Sequence, residues 1–137
     1  MKELKYAYNF LRKHFGLHWS DSSFTVDSAI TANDESPLSY DVSLAPDASL
    51  LVAVVCRIFA QDVDFVGIES LQHKESDRQH ALHVLRHAVD EIDSLQDHRV
   101  AMAAAVLQLA FPQLRINGRD CVSKSFPDFF KQWSLFV

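Results

Sequence analysis

Residues 76–92, SDRQHALHVLRHAVDEI, carry the most regular helical pattern of the chain, and this pattern decides the expected fold. Ser76 and Gln79 have the spacing of a capping box, which places the start of a helix near Asp77. One apolar face then recurs at helical spacing, formed by Ala81, Leu82, Leu85, Ala88, Val89 and Ile92.

Neither glycine nor proline interrupts the sequence between this helix start and Phe111. A single helix of that length would extend about 52 Å, which is too long for a compact domain of this size. We therefore expect a break within residues 94–98, with Asp97 capping a second helix over residues 99–111.

Three further segments are predicted to be helical. Residues 2–15 are amphipathic and are expected to end at Gly16. Asp47 stands where a capping residue belongs, before an apolar helix over about residues 48–61. In the last segment, residues 125–137, aromatic side chains recur at helical spacing: Phe126, Phe129, Phe130, Trp133 and Phe136.

Strand signals are short and fewer. Residues 24–30 and 38–44 alternate between apolar and polar side chains, which indicates an acidic β-hairpin or, alternatively, an irregular surface loop. Residues 63–71 fit either a strand or a helical turn. Asn117-Gly118 is the pair that a two-residue type I′ turn prefers, so we expect a second hairpin there.

Composition places these elements in one globular domain. The chain has 137 residues, 48% of them hydrophobic and 23% charged, with a net charge of −5, values typical of a folded domain. The expected class is mainly α (α+β), with about five helices packed around a central apolar helix pair and one or two short β-hairpins. No internal repeat is visible, and no apolar run reaches the roughly 20 residues that span a bilayer.

The histidines of the first helix form a candidate metal site. His80, His83 and His87 lie along one flank of the helix, and Asp90 and Glu91 would continue that flank one turn further on. A divalent ion held by His83, His87 and one carboxylate is one interpretation, as part of a metal-binding protein or a metal-dependent hydrolase. A solvated helix flank is the other, and under that interpretation no cofactor is expected.

The acidic residues are concentrated in one region. Residues 20–64 contain eight acidic residues and one basic residue. A concentrated negative surface attracts a cationic partner, which suggests a small binding or inhibitory protein, similar to an immunity protein or a nucleic-acid mimic, whose partner is a basic protein such as a toxin or an enzyme. The expected contact residues are Asp27, Asp34, Glu35 and Asp41.

No nucleophile, phosphate-loop or dinucleotide signature occurs, so the sequence favours a protein that is not an enzyme. Cys56 and Cys121 lack metal-ligand spacing and indicate a reduced, cytoplasmic setting. Neither nucleic acid nor membrane is expected as the main ligand. A structural subunit, or a homodimer, is the remaining alternative, with an interface formed by Phe129, Phe130, Trp133 and Phe136.

Overall fold

The structure is a computed structural model that describes residues 2–20, 23–26, 37–72 and 74–135. It forms two compact units, Met1–Ser70 and Leu71–Val137, each of which is described by itself. The expectation of a single domain stays a prediction, as does that of a central pair of helices. Within the described residues, no helix is long and apolar enough to cross a membrane.

The first unit begins with the amphipathic helix that its apolar spacing predicts. Helix α1 covers Lys2–Phe15, and Gly16 ends it with a φ of 70° and an N–H that donates to the Arg12 carbonyl oxygen at 3.1 Å. Strands β1 (Leu17–Ser20) and β2 (Ser23–Val26) follow and pair antiparallel. The predicted helix and its glycine stop are therefore confirmed.

A parallel strand–helix–strand motif completes this unit. Strand β3 (Leu38–Asp41) pairs parallel with β4 (Val63–Val66), and helix α2 (Ser49–Ile58) connects them. The predicted hairpin between residues 24–30 and 38–44 is wrong, because β2 pairs with β1 and β3 pairs with β4. Parallel partners are distant in sequence and need a crossover, so local alternation could not identify them.

Asp47 does not cap α2. It lies within a short 3₁₀ helix, Pro46–Ala48, and the N-cap residue of α2 is Ala48, with no side-chain cap. The core beneath is built around Tyr40 of β3, which is fully buried and whose hydroxyl donates to the Ala45 carbonyl oxygen at 2.9 Å. Burial, followed by the nearby Tyr6 and acidic groups, raises the pKa of Tyr40.

The second unit repeats the motif with different side chains. Its order is α3 (Arg78–His87), β5 (Glu91–Asp93), α4 (His98–Leu107), β6 (Arg115–Asn117) and the short α5 (Phe129–Trp133). Helix α3 begins after Asp77, as predicted, but the cap is the Asp77 carboxylate, which accepts from the His80 N–H at 3.0 Å. The capping box is therefore wrong.

Helix α3 is also shorter than its apolar pattern predicts. It ends at His87, and Ala88 already has an extended backbone. Val89 is 65% exposed, whereas Ile92 is buried in strand β5 and not on a helix face. The break therefore falls before residues 94–98, because residues 91–93 gain a strand partner from far along the chain.

The Asn117-Gly118 pair does not form a hairpin. Strand β6 pairs parallel with β5, and Gly118, with a φ of 78°, precedes a 3₁₀ helix over Arg119–Lys124. A Cβ atom at Gly118 would lie 2.5 Å from Ser94 Oγ, so the position also requires glycine for space. The sequence signal for positive φ was correct, but its interpretation as a hairpin turn was wrong.

The two units share details that sequence comparison did not reveal. Each has the order strand, helix, parallel strand, positive-φ glycine and 3₁₀ helix. Asp41 and Asp93 end the first strand of each motif, and each carboxylate accepts from the backbone N–H two residues later, at 3.0 and 2.9 Å. Gly67 and Gly118 follow the second strand with φ values of 70° and 78°. The expectation of no internal repeat is therefore wrong at the level of structure.

The fold class is confirmed in its coarse form. The described residues contain five α-helices together with short strands, a mixture of helix and strand. The connectivity is richer in parallel strand–helix–strand units than the predicted hairpins imply.

Candidate functional site

The second unit brings together the starts of two helices and the charged residues around them. Arg78 is the first residue of α3, and Asp97 is the N-cap residue of α4. Asp97 is fully buried, and its Oδ1 accepts from the Arg99 N–H at 3.0 Å, which confirms its predicted capping role. Capping alone does not require burial, so the surroundings of this carboxylate are informative.

A buried ion pair occupies the remaining lone pairs of Asp97. Arg78 Nε donates to Asp97 Oδ2 at 2.7 Å, and Arg78 Nη2 donates to Asp97 Oδ1 at 3.2 Å. Ser76 Oγ donates to the same Oδ2 at 2.8 Å. Bidentate, charge-assisted bonds of this kind fix geometry as well as contributing energy, so they tie the segment before α3 to the start of α4.

The pKa of Asp97 reflects this balance. Burial alone would raise the pKa of a carboxyl group. Hydrogen bonds from Arg78 and Ser76, the charge of Arg78 and the Arg99 N–H outweigh burial and hold the pKa of Asp97 below its usual range. Asp97 is therefore an anchored carboxylate with its hydrogen-bonding capacity in use.

The adjoining Glu75 and His98 are positioned by this anchor and reach solvent. Glu75 Oε2 lies 2.9 Å from His98 Nδ1, and the two side chains are 35% and 26% exposed. The same oxygen lies 3.9 Å from Arg78 Nη2. A carboxylate and an imidazole in contact at a partly exposed position can exchange protons with a bound molecule. We call Glu75, Arg78, Asp97 and His98 the anchored charge cluster.

The cluster also has the donor types of a metal site. Within the described residues, ligand atoms of Glu75, Asp97 and His98 come within 4.8 Å of one another. However, both oxygens of Asp97 accept hydrogen bonds from the Arg78 guanidinium, and a guanidinium competes with a cation for the same carboxylate. The donor set therefore fits an ion pair better than a metal ion.

The predicted histidine site has a different geometry from the one its spacing suggested. The rings of His83 and His87 lie 4.7 Å apart on α3. Asp90 and Glu91 lie beyond the end of that helix, and Glu91 faces Arg115 at 3.6 Å and Asn117 at 3.3 Å on β6. His80 is exposed near the helix start. Metal binding by these residues stays a prediction.

The structure places the other predicted site residues in two ways. Asp27, Asp34 and Glu35 lie outside the described residues. Asp41 is half-buried, and its carboxylate accepts from the Ser43 hydroxyl at 2.6 Å and from the Ser43 N–H. That carboxylate is engaged within its own turn.

The aromatic residues near the C-terminus cluster with one another. Phe129 and Phe130 pack against the buried residues Ala101, Cys121 and Val122. The Phe129 ring stacks on Trp133 with centroids 5.9 Å apart. Phe136 lies outside the described residues. An interface role for these aromatics stays a prediction.

A surface pocket of about 390 Å³ lies in the same unit, lined by Arg119, Asp120, Val122, Ser123, Pro127 and Phe130. The Arg119 guanidinium rests over the Phe130 ring at 4.0 Å. The lining contains no residue of the anchored charge cluster, and its cation is already engaged with an aromatic face, so we regard it as the weaker candidate.

Comparison with known proteins points to an enzyme. The family model of EPSP synthase (3-phosphoshikimate 1-carboxyvinyltransferase) matches residues 80–133, a stretch that includes Asp97 and His98.

Individual relatives agree with this match. The 3-phosphoshikimate 1-carboxyvinyltransferase of Colwellia psychrerythraea is 30% identical, over 83% of this chain and 31% of the relative. That of Methanosphaerula palustris is 36% identical, over 68% of this chain and 27% of the relative. That of Aeromonas salmonicida is 28% identical, over 83% and 34%. The chain thus spans about a third of the length of the curated relatives that it matches.

These similarities correct the functional predictions. The hypothesis of an acidic binding or inhibitory protein with a basic protein partner is wrong, because the matching proteins are transferases named for a small phosphorylated substrate. The same finding overturns the alternatives of a metal-dependent hydrolase and of a structural subunit. It also overturns the expectation that the chain has no relation to an enzyme.

Sequence reasoning missed the anchored charge cluster for a clear reason. Glu75 and Arg78 are separated from Asp97 and His98 by about twenty residues, and the bond between them depends on how α3 packs against α4. A usable signal was present, because charged residues crowd both helix starts, in KESDR (residues 74–78) and DHR (residues 97–99).

Proposed function

We propose that this chain is a segment of an enzyme of the 3-phosphoshikimate 1-carboxyvinyltransferase type, and that the anchored charge cluster forms part of its active site. The observation that carries the proposal is the position of Asp97 and His98 inside the segment that resembles EPSP synthase, residues 80–133. The cluster combines a fixed scaffold with partly exposed groups that can transfer protons.

The electrostatics of the cluster suit the substrate that the relatives' name gives. A phosphorylated substrate and a carboxyvinyl group both carry negative charge. Helix N-termini attract anions through their unpaired N–H groups and the helix dipole, and α3 and α4 both begin at the cluster. Arg99, in the first turn of α4, has an exposed side chain that adds positive charge there.

Within this site the roles divide by burial. Arg78 and Asp97 are buried and bonded to each other, so they hold the two helix starts in register. Glu75 and His98 are partly exposed and in contact, so they are the groups that can accept and return a proton during group transfer. Glu75 is the proposed proton acceptor, and His98 orients its carboxylate.

The test uses a chimera, because the chain covers only about a third of its relatives. The segment of the Colwellia psychrerythraea enzyme that aligns with this chain is replaced by this chain, and carboxyvinyl transfer is measured. Glu75→Gln should lower kcat by about 10²- to 10⁴-fold, the usual contribution of a positioned proton-transfer group. Glu69→Gln, which removes an exposed carboxylate in the first unit, is the matched control and should leave kcat unchanged.

A second variant separates proton transfer from simple support. His98→Asn keeps a polar side chain of similar size but cannot be protonated, so it should change the pH profile of kcat more than KM. An active chimera in which Glu75→Gln and Glu69→Gln behave alike would refute the assignment of Glu75.

A further inference from the structure

We propose that one face of helix α2 is a docking surface for an apolar helix of the remaining part of an EPSP-synthase-like protein. The proposal rests on the proposed function for the identity of the partner. The face consists of Leu51, Val55, Ile58 and Phe59, and we call it the α2 stripe.

The α2 stripe is continuous and apolar. Its members occupy positions 0, 4, 7 and 8 along the helix, which fall within about 100° of arc and along about 12 Å of the helix axis. Leu51 is 41% exposed and Phe59 is 59% exposed, while Val55 and Ile58 between them are half-buried. Phe59 has an aromatic neighbour on one side, Phe15, with ring centroids 5.5 Å apart.

The opposite side of α2 already has its partners. Leu50, Val52, Ala53, Val54 and Cys56 are all buried. A helix that is apolar on all sides is normally covered on all sides. Arg57 is the one charged residue of α2, and its position lies outside the arc of the stripe.

Helix α4 provides an internal comparison. It occupies the same place in the strand–helix–strand motif of the second unit and is similarly apolar. Its residues are buried on every side, among them Val100, Ala101, Ala104 and Ala105, each 0% exposed. The motif therefore supports a helix that is covered all round, and α2 lacks part of that cover.

The length comparison identifies the occupant. About two thirds of the relatives' length has no counterpart in these 137 residues. A helical partner fits because the stripe has the length of about two helical turns and is free of charge, which suits packing of side chains between two helices. A second copy of this chain is the competing occupant, and the experiment distinguishes the two.

The experiment compares cysteine labelling of the isolated chain and of the chimera described above. Phe59→Cys and Leu51→Cys place thiols on the stripe, and the native Cys56 and Cys121 are buried in the chain. Asp64→Cys, at an exposed position of strand β4 in the same unit, is the matched control. The measured quantity is the rate of reaction with a maleimide reagent.

We expect both stripe cysteines to react at least about tenfold more slowly in the chimera than in the isolated chain, as burial in a packed contact requires. The control should react at similar rates in both. Equal stripe rates in the two proteins would overturn the proposal, as would a chimera that does not fold. Protection that grows with the concentration of the isolated chain would assign the stripe to a second copy and would also overturn it.

The outcome is independent of the test of function. A folded chimera that protects the stripe but transfers no carboxyvinyl group supports docking and contradicts the proposed function. A chimera whose activity depends on Glu75 while the stripe remains reactive supports the function and contradicts docking.

Discussion

Asp97 should be the most costly surface-distant carboxylate to remove from the second unit. In Asp97→Ala the buried Arg78, whose side chain is 5% exposed, loses its counter-charge. Removing one partner of a buried ion pair costs about 3–5 kcal/mol, and loss of the α4 cap adds about 1 kcal/mol. The expected loss is therefore about 4–6 kcal/mol, a large share of the about 5–15 kcal/mol that stabilises a typical domain.

A matched control is available at the start of the neighbouring helix. Asp77 caps α3 through one hydrogen bond, at 3.0 Å, and is exposed. Asp77→Ala should cost only about 1 kcal/mol. Asp97→Asn keeps a hydrogen-bond acceptor but removes the charge, so its cost should fall between the two.

The assay is urea unfolding followed by tryptophan fluorescence. The chain has two tryptophans, so a Trp19→Phe background leaves Trp133, in α5 of the second unit, as the reporter. The free energy of unfolding is obtained by linear extrapolation. Equal losses for Asp97→Ala and Asp77→Ala would refute the argument that the buried ion pair, and not the cap, dominates.

Three other predictions follow from the same structure. Because the fold lowers the pKa of Asp97, its contribution is present above the ordinary value of 3.8 and is lost as the pH falls below it; acid unfolding of Asp97→Asn should therefore depend less on pH than that of the unsubstituted chain. The fold raises the pKa of Tyr40, so stability should decline as the pH rises above the ordinary value of 10.0, and Tyr40→Phe should weaken that decline while costing about 1 kcal/mol for the lost bond to Ala45; urea midpoints at neutral and alkaline pH test both statements. Gly118→Ala should destabilise the second unit by at least about 2 kcal/mol, because it combines positive φ with a Cβ contact of 2.5 Å to Ser94; a change within about 0.5 kcal/mol would contradict this reason.

Local signals in the sequence predicted local structure well. The apolar spacing of residues 2–15, the capping carboxylate of Asp97 and the positive φ of Gly118 all depend on neighbours within a few residues, and the structure confirms each. Asp47 shows the limit of such signals, because a proline directly before it favours a 3₁₀ turn in which the carboxylate does not cap.

Features that depend on distant residues were not predictable in this way. The partners of β3 and β5 are 25 and 24 residues away along the chain, and the repeated motif shares turn geometry instead of side chains. The anchored charge cluster likewise depends on the packing of α3 against α4. Attention to single-helix spacing therefore selected His83 and His87, while Glu75 and His98 were overlooked.

The most direct measurement of the central claim is carboxyvinyl transfer by the chimera, compared with the Colwellia psychrerythraea enzyme from which the aligned segment has been deleted. The account predicts that insertion of this chain restores transfer and that Glu75→Gln removes most of it. A folded chimera that transfers no more than the deleted enzyme would contradict the account.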